Sequence, residues 1–286
     1  MRALITGAAG QLGSDLAALL PDAVTLAREQ LTITEPGAVL AAFRRVRPEV
    51  VFNCAAYNAV DRAETEPEAA MAVNAGGAEA VALACGAVGA RLVHFSTNYV
   101  FAGDADRPYR ESDPSRPLSA YARSKLKGER GVLDALPGAL IVRSAGLFGH
   151  RGSAAKGGSF PARVLERARR GERLRVVADQ RLNPTYTGHL APAVVDLVGQ
   201  GLTGVVHLVA EGCCSWHELA VATLALAGLR VEVEAISSEV LGAAAVRPAN
   251  GCLESVRVGP LAPWREGLEE WFRAADVAPL GAGEEG

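Results

Sequence analysis

The chain has 286 residues, of which 49% are hydrophobic and 21% are charged. This balance is typical of a soluble globular protein rather than a disordered one, and the length allows a substantial core in one large domain or two smaller ones. The formal net charge of −3 at pH 7 gives no sign of the basic surface that nucleic acid or an anionic membrane would attract, so neither partner is expected.

The start of the chain and its cysteines indicate a cytoplasmic protein. Met1-Arg2 leads directly into a short apolar run and a glycine turn, which is not the pattern of a signal peptide. We expect no apolar stretch that approaches the roughly 20 residues needed to span a bilayer. The five cysteines include the adjacent pair Cys213-Cys214 and lack metal-ligand spacing. We interpret them as buried thiols in a reducing compartment, and we expect neither disulfides nor a metal site.

The first 150 residues alternate short apolar runs with stretches rich in alanine and leucine. The apolar runs predict β-strands at Arg2–Ile5, Ala23–Leu26, Val50–Asn53, Arg91–Ser96 and Leu140–Arg143. The stretches between them predict helices at Gly10–Leu20, Pro36–Arg45, Glu68–Gly86 and Ala120–Leu136. Such alternation is typical of parallel strands joined by right-handed helical crossovers. We therefore predict an α/β protein with a doubly wound parallel sheet, the Rossmann fold.

Beyond residue 147 the predicted elements become shorter and more mixed. They are a helix at Pro161–Gly171, a strand at Leu174–Val177, a helix from Thr187 and a strand at Gly204–Val209. We predict that residues 1–147 and 174–210 form a dinucleotide-binding domain. Residues 148–173 and 211–286 would then form a smaller mixed α/β region that binds the substrate.

A glycine-rich turn, Gly7-Ala8-Ala9-Gly10-Gln11-Leu12-Gly13, lies between the first predicted strand and the first predicted helix. Glycines let backbone amides approach a pyrophosphate closely, and the N-terminus of the following helix favours negative charge. A purely structural turn is the alternative. Because the turn follows an apolar strand directly, we favour a bound dinucleotide, with Gly7, Gly10 and Gly13 among its contacts.

The end of the second predicted strand indicates which dinucleotide is bound. An acidic residue there would suit the ribose hydroxyls of NAD, but the strand is followed by Ala27-Arg28. A guanidinium at this place suits the 2′-phosphate of NADP. Arg28 could instead be an ordinary surface arginine beside Glu29. We therefore favour NADP(H) and keep NAD(H) as the alternative.

The segment Tyr121-Ala122-Arg123-Ser124-Lys125 opens a predicted helix and carries the clearest catalytic signal. Positions four apart share a helix face, so the phenol and the ammonium converge. A free tyrosine has a pKa near 10. We expect the nearby cation to lower the pKa of Tyr121 so that it can exchange a proton with a substrate oxygen. Lysine is scarce in this chain, which makes the pattern more informative than it would otherwise be.

The fourth long apolar run ends in polar residues, Ser96-Thr97-Asn98. The carboxyl ends of strands in a parallel sheet face the ligand crevice. Thr97 can therefore hydrogen-bond the same oxygen as Tyr121. We predict that Thr97, Tyr121 and Lys125 are catalytic and that Thr97, Asn98 and Tyr121 contact the substrate.

With these motifs in this order, the chain resembles the extended short-chain dehydrogenases, and within them the dTDP-4-dehydrorhamnose reductase family. The resemblance covers nearly the whole length. Beyond TGAAGQLG at the start, its segments are FNCAAYNAVDRAETEPEAAMAVNA, HFSTNYVFAG, SAYARSKLKGE, VVADQRLNPTYTGHLA, SWHELA and Arg247-Pro248.

The resemblance implies roles for further residues along the cofactor cleft. The pyrophosphate would be bordered by Gly10, Gln11 and Leu12, and the adenosine by Arg28, Thr32 and Ile33. The rest of the cleft would be lined by Ala55, Ala56, Tyr57 and Phe95. Lys125 would hold the nicotinamide ribose in addition to its catalytic role.

The chain departs from the family pattern where the substrate would bind. The family usually has aspartate at the position of Asn98 and a tryptophan, placed against the sugar, at the position of Gly146. Phe148 is a second candidate for an aromatic platform at that place. The Asn-Phe pair of the family's substrate loop reads Ser159-Phe160 here.

The resemblance implies an NADPH-dependent reductase of a nucleotide-linked 4-keto-6-deoxyhexose, and most closely of dTDP-4-dehydrorhamnose, the precursor of dTDP-rhamnose. Two alternatives stay open: a related sugar-nucleotide epimerase, and a non-catalytic NADP-binding regulatory subunit like that of methionine adenosyltransferase. The expected partner is a nucleotide sugar, and the sequence is compatible with a homodimer.

Overall fold

The computed structural model of the chain describes residues 1–151 and 158–274. The five strands predicted in the first 150 residues are confirmed, each within one residue of its predicted bounds. In chain order the strands are β1 (Ala3–Thr6), β2 (Val24–Leu26), β3 (Val50–Asn53), β4 (Arg91–Thr97), β5 (Leu140–Ser144), β6 (Leu147–Phe148), β7 (Leu174–Val177), β8 (Arg181–Leu182), β9 (Thr185–Tyr186), β10 (Gly204–His207), β11 (Ala210–Glu211), β12 (Cys214–Ser215), β13 (Val233–Ile236) and β14 (Leu261–Pro263).

The predicted helices are also present. The helix predicted at Glu68–Gly86 consists of two α-helices joined by a π-helical turn, Ala72–Gly77. Single 3-10 turns lie at Arg62–Glu64 and Asn98–Val100. The α-helices are α1 (Gln11–Leu19), α2 (Pro36–Val46), α3 (Pro67–Met71), α4 (Ala78–Val88), α5 (Ala120–Ala135), α6 (Phe160–Arg169), α7 (Thr187–Gly199), α8 (Trp216–Leu226), α9 (Ser238–Leu241) and α10 (Trp264–Ala274).

Six strands form one fully parallel sheet in the order β10–β5–β4–β3–β1–β2. Strand β2 lies on one side of β1. Strand β3 lies on its other side, and β4, β5 and β10 follow outward from β3. The strand order therefore reverses between β1 and β3. At such a point the crossovers diverge and leave a crevice at the carboxyl ends of the strands. The predicted doubly wound fold is confirmed.

Both faces of this sheet are covered by helices, and its side chains alternate between two apolar clusters. In β1, Leu4 belongs to the cluster beneath α2, α4 and α5, whereas Ala3 and Ile5 belong to the cluster beneath α1 and α7. Every residue of β1 and β3 is buried. A slip of one residue would exchange the two faces, so this burial fixes the register and with it the positions of the strand ends.

The smaller C-terminal region is mixed α/β, and its core lies between α6, α8 and α10. It contains short parallel pairs and one antiparallel pair, β8 with β12. Residues 174–186 belong to the predicted dinucleotide-binding domain, but none of their strands, β7, β8 and β9, joins the large sheet. Strand β7 pairs with β13, and its Leu174 and Val176 join this smaller core instead of the large sheet. A short apolar run gives the same signal in either sheet. Residues 152–157 and 275–286 of the predicted substrate region lie outside the described residues.

The stretch Pro67–Val88 is longer and more apolar than we expected from the sequence. It has 22 residues, and the mean hydropathy of its most apolar 18-residue window is 1.4. By length and composition alone, such a helix could cross a bilayer. Half of that window is buried inside the protein, where α4 packs against α2 and α5. The expectation that no apolar stretch approaches 20 residues is therefore wrong, and its length here serves to cover the sheet.

The interpretation of all five cysteines as buried thiols is also wrong for two of them. Cys213 and Cys252 form a disulfide between segments 39 residues apart in sequence, with a Cα–Cα distance of 6.1 Å. An odd number of cysteines with one adjacent pair does not indicate this pairing. It forms because the fold brings the two segments together on either side of β8. Cys85 and Cys214 are buried free thiols, as predicted, and Cys54 is a partly exposed one.

Candidate active site

The glycine-rich turn leaves no room for side chains at two of its positions. Gly7 has a φ of +64°, and a Cβ there would lie 2.6 Å from the backbone nitrogen of Ala55, beyond the end of β3. A Cβ on Gly13 would overlap the carbonyl oxygen of Gly7. The turn therefore needs glycine to fold back between β1 and α1, and it brings the predicted cofactor residues Gly7 and Ala55 into contact.

The N-terminus of α1 presents backbone amides to this turn. Gly10 is the N-cap and supplies no side-chain cap. Within the described residues, the buried side-chain nitrogen of Gln11 also lacks a hydrogen-bond partner. Amide donors at a helix N-terminus, together with a glycine cradle that a Cβ would fill, fit a dinucleotide pyrophosphate.

The predicted adenosine residues lie in the segment between β2 and α2. Arg28 and Thr32 are exposed. The amide of Ala8 donates to the carbonyl of Leu26 at 3.3 Å, which holds the end of β2 beside the glycine turn and places Arg28 two residues beyond it. Ile33 is buried, and its side chain fills the space beside Gly77. The exposed guanidinium is thus free to meet a phosphate, whereas Ile33 mainly packs.

Asn74 holds the loop after β3 against helix α5. Its Oδ1 accepts from the Tyr57 amide at 2.9 Å, and its Nδ2 donates to the Tyr57 carbonyl at 3.1 Å and to Ser124 Oγ at 2.9 Å. Asn74 is 1% exposed. We did not assign this residue from the sequence. The signal was there, since a lone asparagine in an apolar helical stretch must find partners when it is buried.

Thr97 ends β4 and caps the short 3-10 turn that follows. Its Oγ1 accepts from the Tyr99 amide at 3.2 Å and donates to Asn98 Oδ1 at 3.3 Å. The Nδ2 atom of Asn98 donates to the Gly251 carbonyl at 2.8 Å. Thr97 and Asn98 are 8% and 3% exposed, respectively. The hydroxyl therefore lies at the carboxyl end of β4, while the Asn98 amide is engaged with the C-terminal segment.

Tyr121 lies in the first turn of α5, which Ser119 caps by accepting from the Ala122 amide at 3.2 Å. The Tyr121 ring meets the ring of Tyr99 edge-on, with 5.9 Å between centroids. Burial raises the pKa of the Tyr121 phenol well above its usual value, the neighbouring Tyr99 raises it further, and the hydroxyl of Thr97 lowers it. This direction is opposite to the one we expected. Because the phenol is buried, it stays protonated across the neutral range.

Lys125 lies one turn further along the same face of α5 and is 2% exposed. Its ammonium donates to the carbonyl of Phe95 at 2.7 Å. Burial lowers the pKa of Lys125 from 10.5 to about 8, and the charges of Glu129 and Cys54 act in the opposite direction. The expectation that this ammonium lowers the pKa of Tyr121 fails here, because desolvation dominates at both groups.

A buried ion pair lies one further turn along α5. Glu129 accepts three hydrogen bonds from Arg143 on β5: from Nε to Oε1 at 2.9 Å and to Oε2 at 3.2 Å, and from Nη2 to Oε2 at 2.6 Å. Ser96 on β4 also donates to Glu129. The two charged side chains are only 3% and 7% exposed. We did not predict this pair, which supports the helix that carries Tyr121 and Lys125.

The position where the family carries a tryptophan cannot hold one in this chain without rearrangement. Gly146 has a φ of +53°, and a Cβ there would overlap the side chain of Leu182. Phe148 is 1% exposed and stacks on Tyr186 in the core of the smaller region. The suggestion that Phe148 replaces the missing aromatic platform is therefore wrong, since its ring is buried in that core.

Comparison with known proteins identifies the family. A family model described as RmlD substrate binding domain matches residues 1–277. The chain belongs to the dTDP-4-dehydrorhamnose reductase family. A dTDP-4-dehydrorhamnose reductase of Streptomyces griseus is 42% identical over 96% of this chain and 93% of its own length. A probable dTDP-4,6-dihydroxy-2-methyloxan-3-one 4-ketoreductase of Streptomyces antibioticus is also 42% identical, over 95% of each chain.

The solved structures agree with this assignment. A dTDP-4-dehydrorhamnose reductase from Bacillus anthracis, crystallised in complex with NADP, has a TM-score of 0.91 and 36% identity, over 96% of this chain and 99% of that one. The predicted family and the prediction of an oxidoreductase are confirmed. The alternative of a non-catalytic regulatory subunit finds no support among these relatives.

Proposed function

We propose that the protein reduces the C4 ketone of a dTDP-linked 4-keto-6-deoxyhexose with NADPH, and that its substrate is dTDP-4-dehydrorhamnose. The observation that carries this proposal is the placement of Thr97, Tyr121 and Lys125. All three are buried around the carboxyl end of β4 and the first turns of α5, one strand away from the switch point between β1 and β3. The names of the relatives supply the substrate class.

The cofactor would be held along the glycine turn and the ends of β2 to β4. The pyrophosphate would lie against Gly7, Gly10 and the first amides of α1, and Arg28 would bind the 2′-phosphate. NADP in the Bacillus anthracis relative supports this preference. When bound, the dihydronicotinamide supplies the hydride. The chain itself orients this group and the sugar so that only one face of the ketone is reached.

Two side chains act on the substrate oxygen as negative charge develops on it, and a third would hold the cofactor. Tyr121, protonated because it is buried, donates its phenolic proton to that oxygen. The Thr97 hydroxyl hydrogen-bonds the same atom. When NADPH is bound, the Lys125 ammonium, fixed on the Phe95 carbonyl, would hold the nicotinamide ribose. Tyr121 and Thr97 stabilise the alkoxide that develops in the transition state more than they stabilise the ketone, which is the condition for lowering the barrier.

The remaining expectations belong to the same proposal. The smaller region, with β7 counted as part of it, binds the nucleotide sugar, and the protein acts in the cytoplasm. Because Gly146 replaces the family tryptophan, the sugar loses one stacking contact. Such a contact is worth about 0.5–1.5 kcal/mol beyond area burial. We therefore propose a broader choice of keto sugar than the family pattern implies.

The test is NADPH oxidation with a panel of dTDP-4-keto-6-deoxyhexoses, with the products identified by NMR. We expect turnover of dTDP-4-dehydrorhamnose to dTDP-rhamnose, with one NADPH consumed for each ketone reduced. An epimerase would change the sugar without net NADPH consumption. Absence of NADPH oxidation with every member of the panel would overturn the proposal.

A further inference from the structure

Asn98 occupies an unusual position for a residue of a substrate pocket, because both ends of its amide are already in use. Its Nδ2 faces the Gly251 carbonyl at 2.8 Å, and its Oδ1 faces Thr97 Oγ1 at 3.3 Å. A carbonyl can only accept, so the nitrogen must point to Gly251 and the oxygen to Thr97. The side chain is 3% exposed, which leaves little of it for a ligand to touch.

The hydrogen bond between Asn98 and Thr97 decides whether the hydroxyl or the methyl group of Thr97 faces Tyr121. A threonine rotamer that turns by one well exchanges the hydroxyl with the methyl group. Thr97 Oγ1 donates to Asn98 Oδ1 at 3.3 Å on one side and accepts from the Tyr99 amide at 3.2 Å on the other. These two bonds hold the hydroxyl toward Tyr121. The 3.3 Å bond is long enough to yield its proton when a substrate oxygen arrives.

The other end of the Asn98 side chain rests on a rigid anchor. The Gly251 amide donates to the Arg181 carbonyl at 2.8 Å, and Asn250 beside it donates from its amide to Gly103 at 3.0 Å. On the other side, Cys252 is joined to Cys213. A Cβ on Gly251 would overlap the Nδ2 of Asn98. The C-terminal segment therefore approaches β4 this closely only because residue 251 is glycine.

We propose that Asn98 is a positioning residue: it transmits the fixed position of Gly251 to the Thr97 hydroxyl and so holds that hydroxyl ready for the substrate oxygen. This inference rests on the proposed reductase function, and it gives Asn98 a role besides the predicted contact with the sugar. It also makes Gly251, which lies more than 150 residues away in sequence, a determinant of the chemical step.

The kinetic test uses Gly251→Ala and Asn98→Leu, which disturb the link from its two ends. Gly259→Ala is the matched control, since a Cβ there meets nothing within 4 Å. We expect both test variants to lower kcat on the order of tenfold, with the KM for NADPH unchanged, and the control to retain parental kcat. Because Asn98 acts through Thr97, either change should add less than about twofold in a Thr97→Val background. Full additivity of the losses would overturn the proposal.

A second readout needs no substrate. The amide of Tyr99 donates to Thr97 Oγ1, so its NMR chemical shift and its hydrogen-exchange rate report the orientation of Thr97. We expect both to change in Gly251→Ala and not in Gly259→Ala. An unchanged Tyr99 amide in Gly251→Ala would refute the positioning role, even if the protein reduced none of the keto sugars. If the parent reduced none of the keto sugars but the Tyr99 amide still shifted in Gly251→Ala, the positioning role would stand and only the proposed function would be wrong.

Discussion

The buried pair of Glu129 and Arg143 offers a quantitative test of what holds the catalytic helix in place. Replacing Glu129 with glutamine keeps the size of the side chain but removes the charge that compensates the Arg143 guanidinium, which is 7% exposed. Removing one partner of a buried pair costs about 3–5 kcal/mol, because the other charge is left without compensation. For a chain of this length the unfolding entropy is roughly 0.6 kcal/mol per kelvin. The melting temperature of Glu129→Gln should therefore fall by about 5–8 °C.

A matched control comes from the exposed pair of Glu166 and Arg170, whose side chains are 53% and 62% exposed. Such a pair contributes about 0–1 kcal/mol, so Glu166→Gln should shift the melting temperature by less than about 2 °C. The double variant Glu129→Gln/Arg143→Met removes both charges of the pair and should recover much of the loss. Calorimetry measures all three. Equal shifts in Glu129→Gln and Glu166→Gln would refute the reasoning.

Three further predictions concern single residues of the site. Lys125 should titrate at about 8 instead of 10.5, as seen in an NMR titration of ¹³C-labelled lysine. Activity should fall as pH rises through that value, because the ammonium loses its charge, and titration near 10.5 would contradict this. Arg28→Ala should raise the KM for NADPH on the order of tenfold and the KM for NADH much less, whereas equal effects would remove Arg28 from phosphate binding. Gly146→Ala should destabilise more than Gly171→Ala, since both have positive φ but only Gly146 also meets Leu182; denaturant unfolding measures both, and equal losses would contradict the overlap.

The features that the sequence predicted correctly depend on local patterns. Apolar runs separated by helical stretches were sufficient to place β1 to β5 and to indicate the doubly wound sheet. Two glycines of the turn, Gly7 and Gly13, have no room for a Cβ, and the spacing of Tyr121 and Lys125 places both on one buried face of α5. In each case a short segment already contains the physical constraint.

The features that the sequence did not predict arise from contacts between distant segments. Glu129 and Arg143 lie on different elements, and each resembles an ordinary surface residue in the sequence. Cys213 pairs with Cys252 because the two segments that carry them both lie beside β8. The direction of the pKa shift at Tyr121 depends on burial, which a motif does not encode. Local pattern could not foresee any of these, because the partner is set by the fold.

The central claim is that Tyr121 donates the proton while NADPH reduces a dTDP-4-keto sugar. The most direct measurement compares initial rates of NADPH oxidation with dTDP-4-dehydrorhamnose for the parent protein and for Tyr121→Phe, together with the NADPH affinity of each. The parent should turn over. The variant should lose on the order of 10²- to 10⁴-fold in kcat and keep its affinity for NADPH, since the hydroxyl acts in the transition state. Near-parental turnover by Tyr121→Phe, or no NADPH oxidation by the parent, would contradict the account.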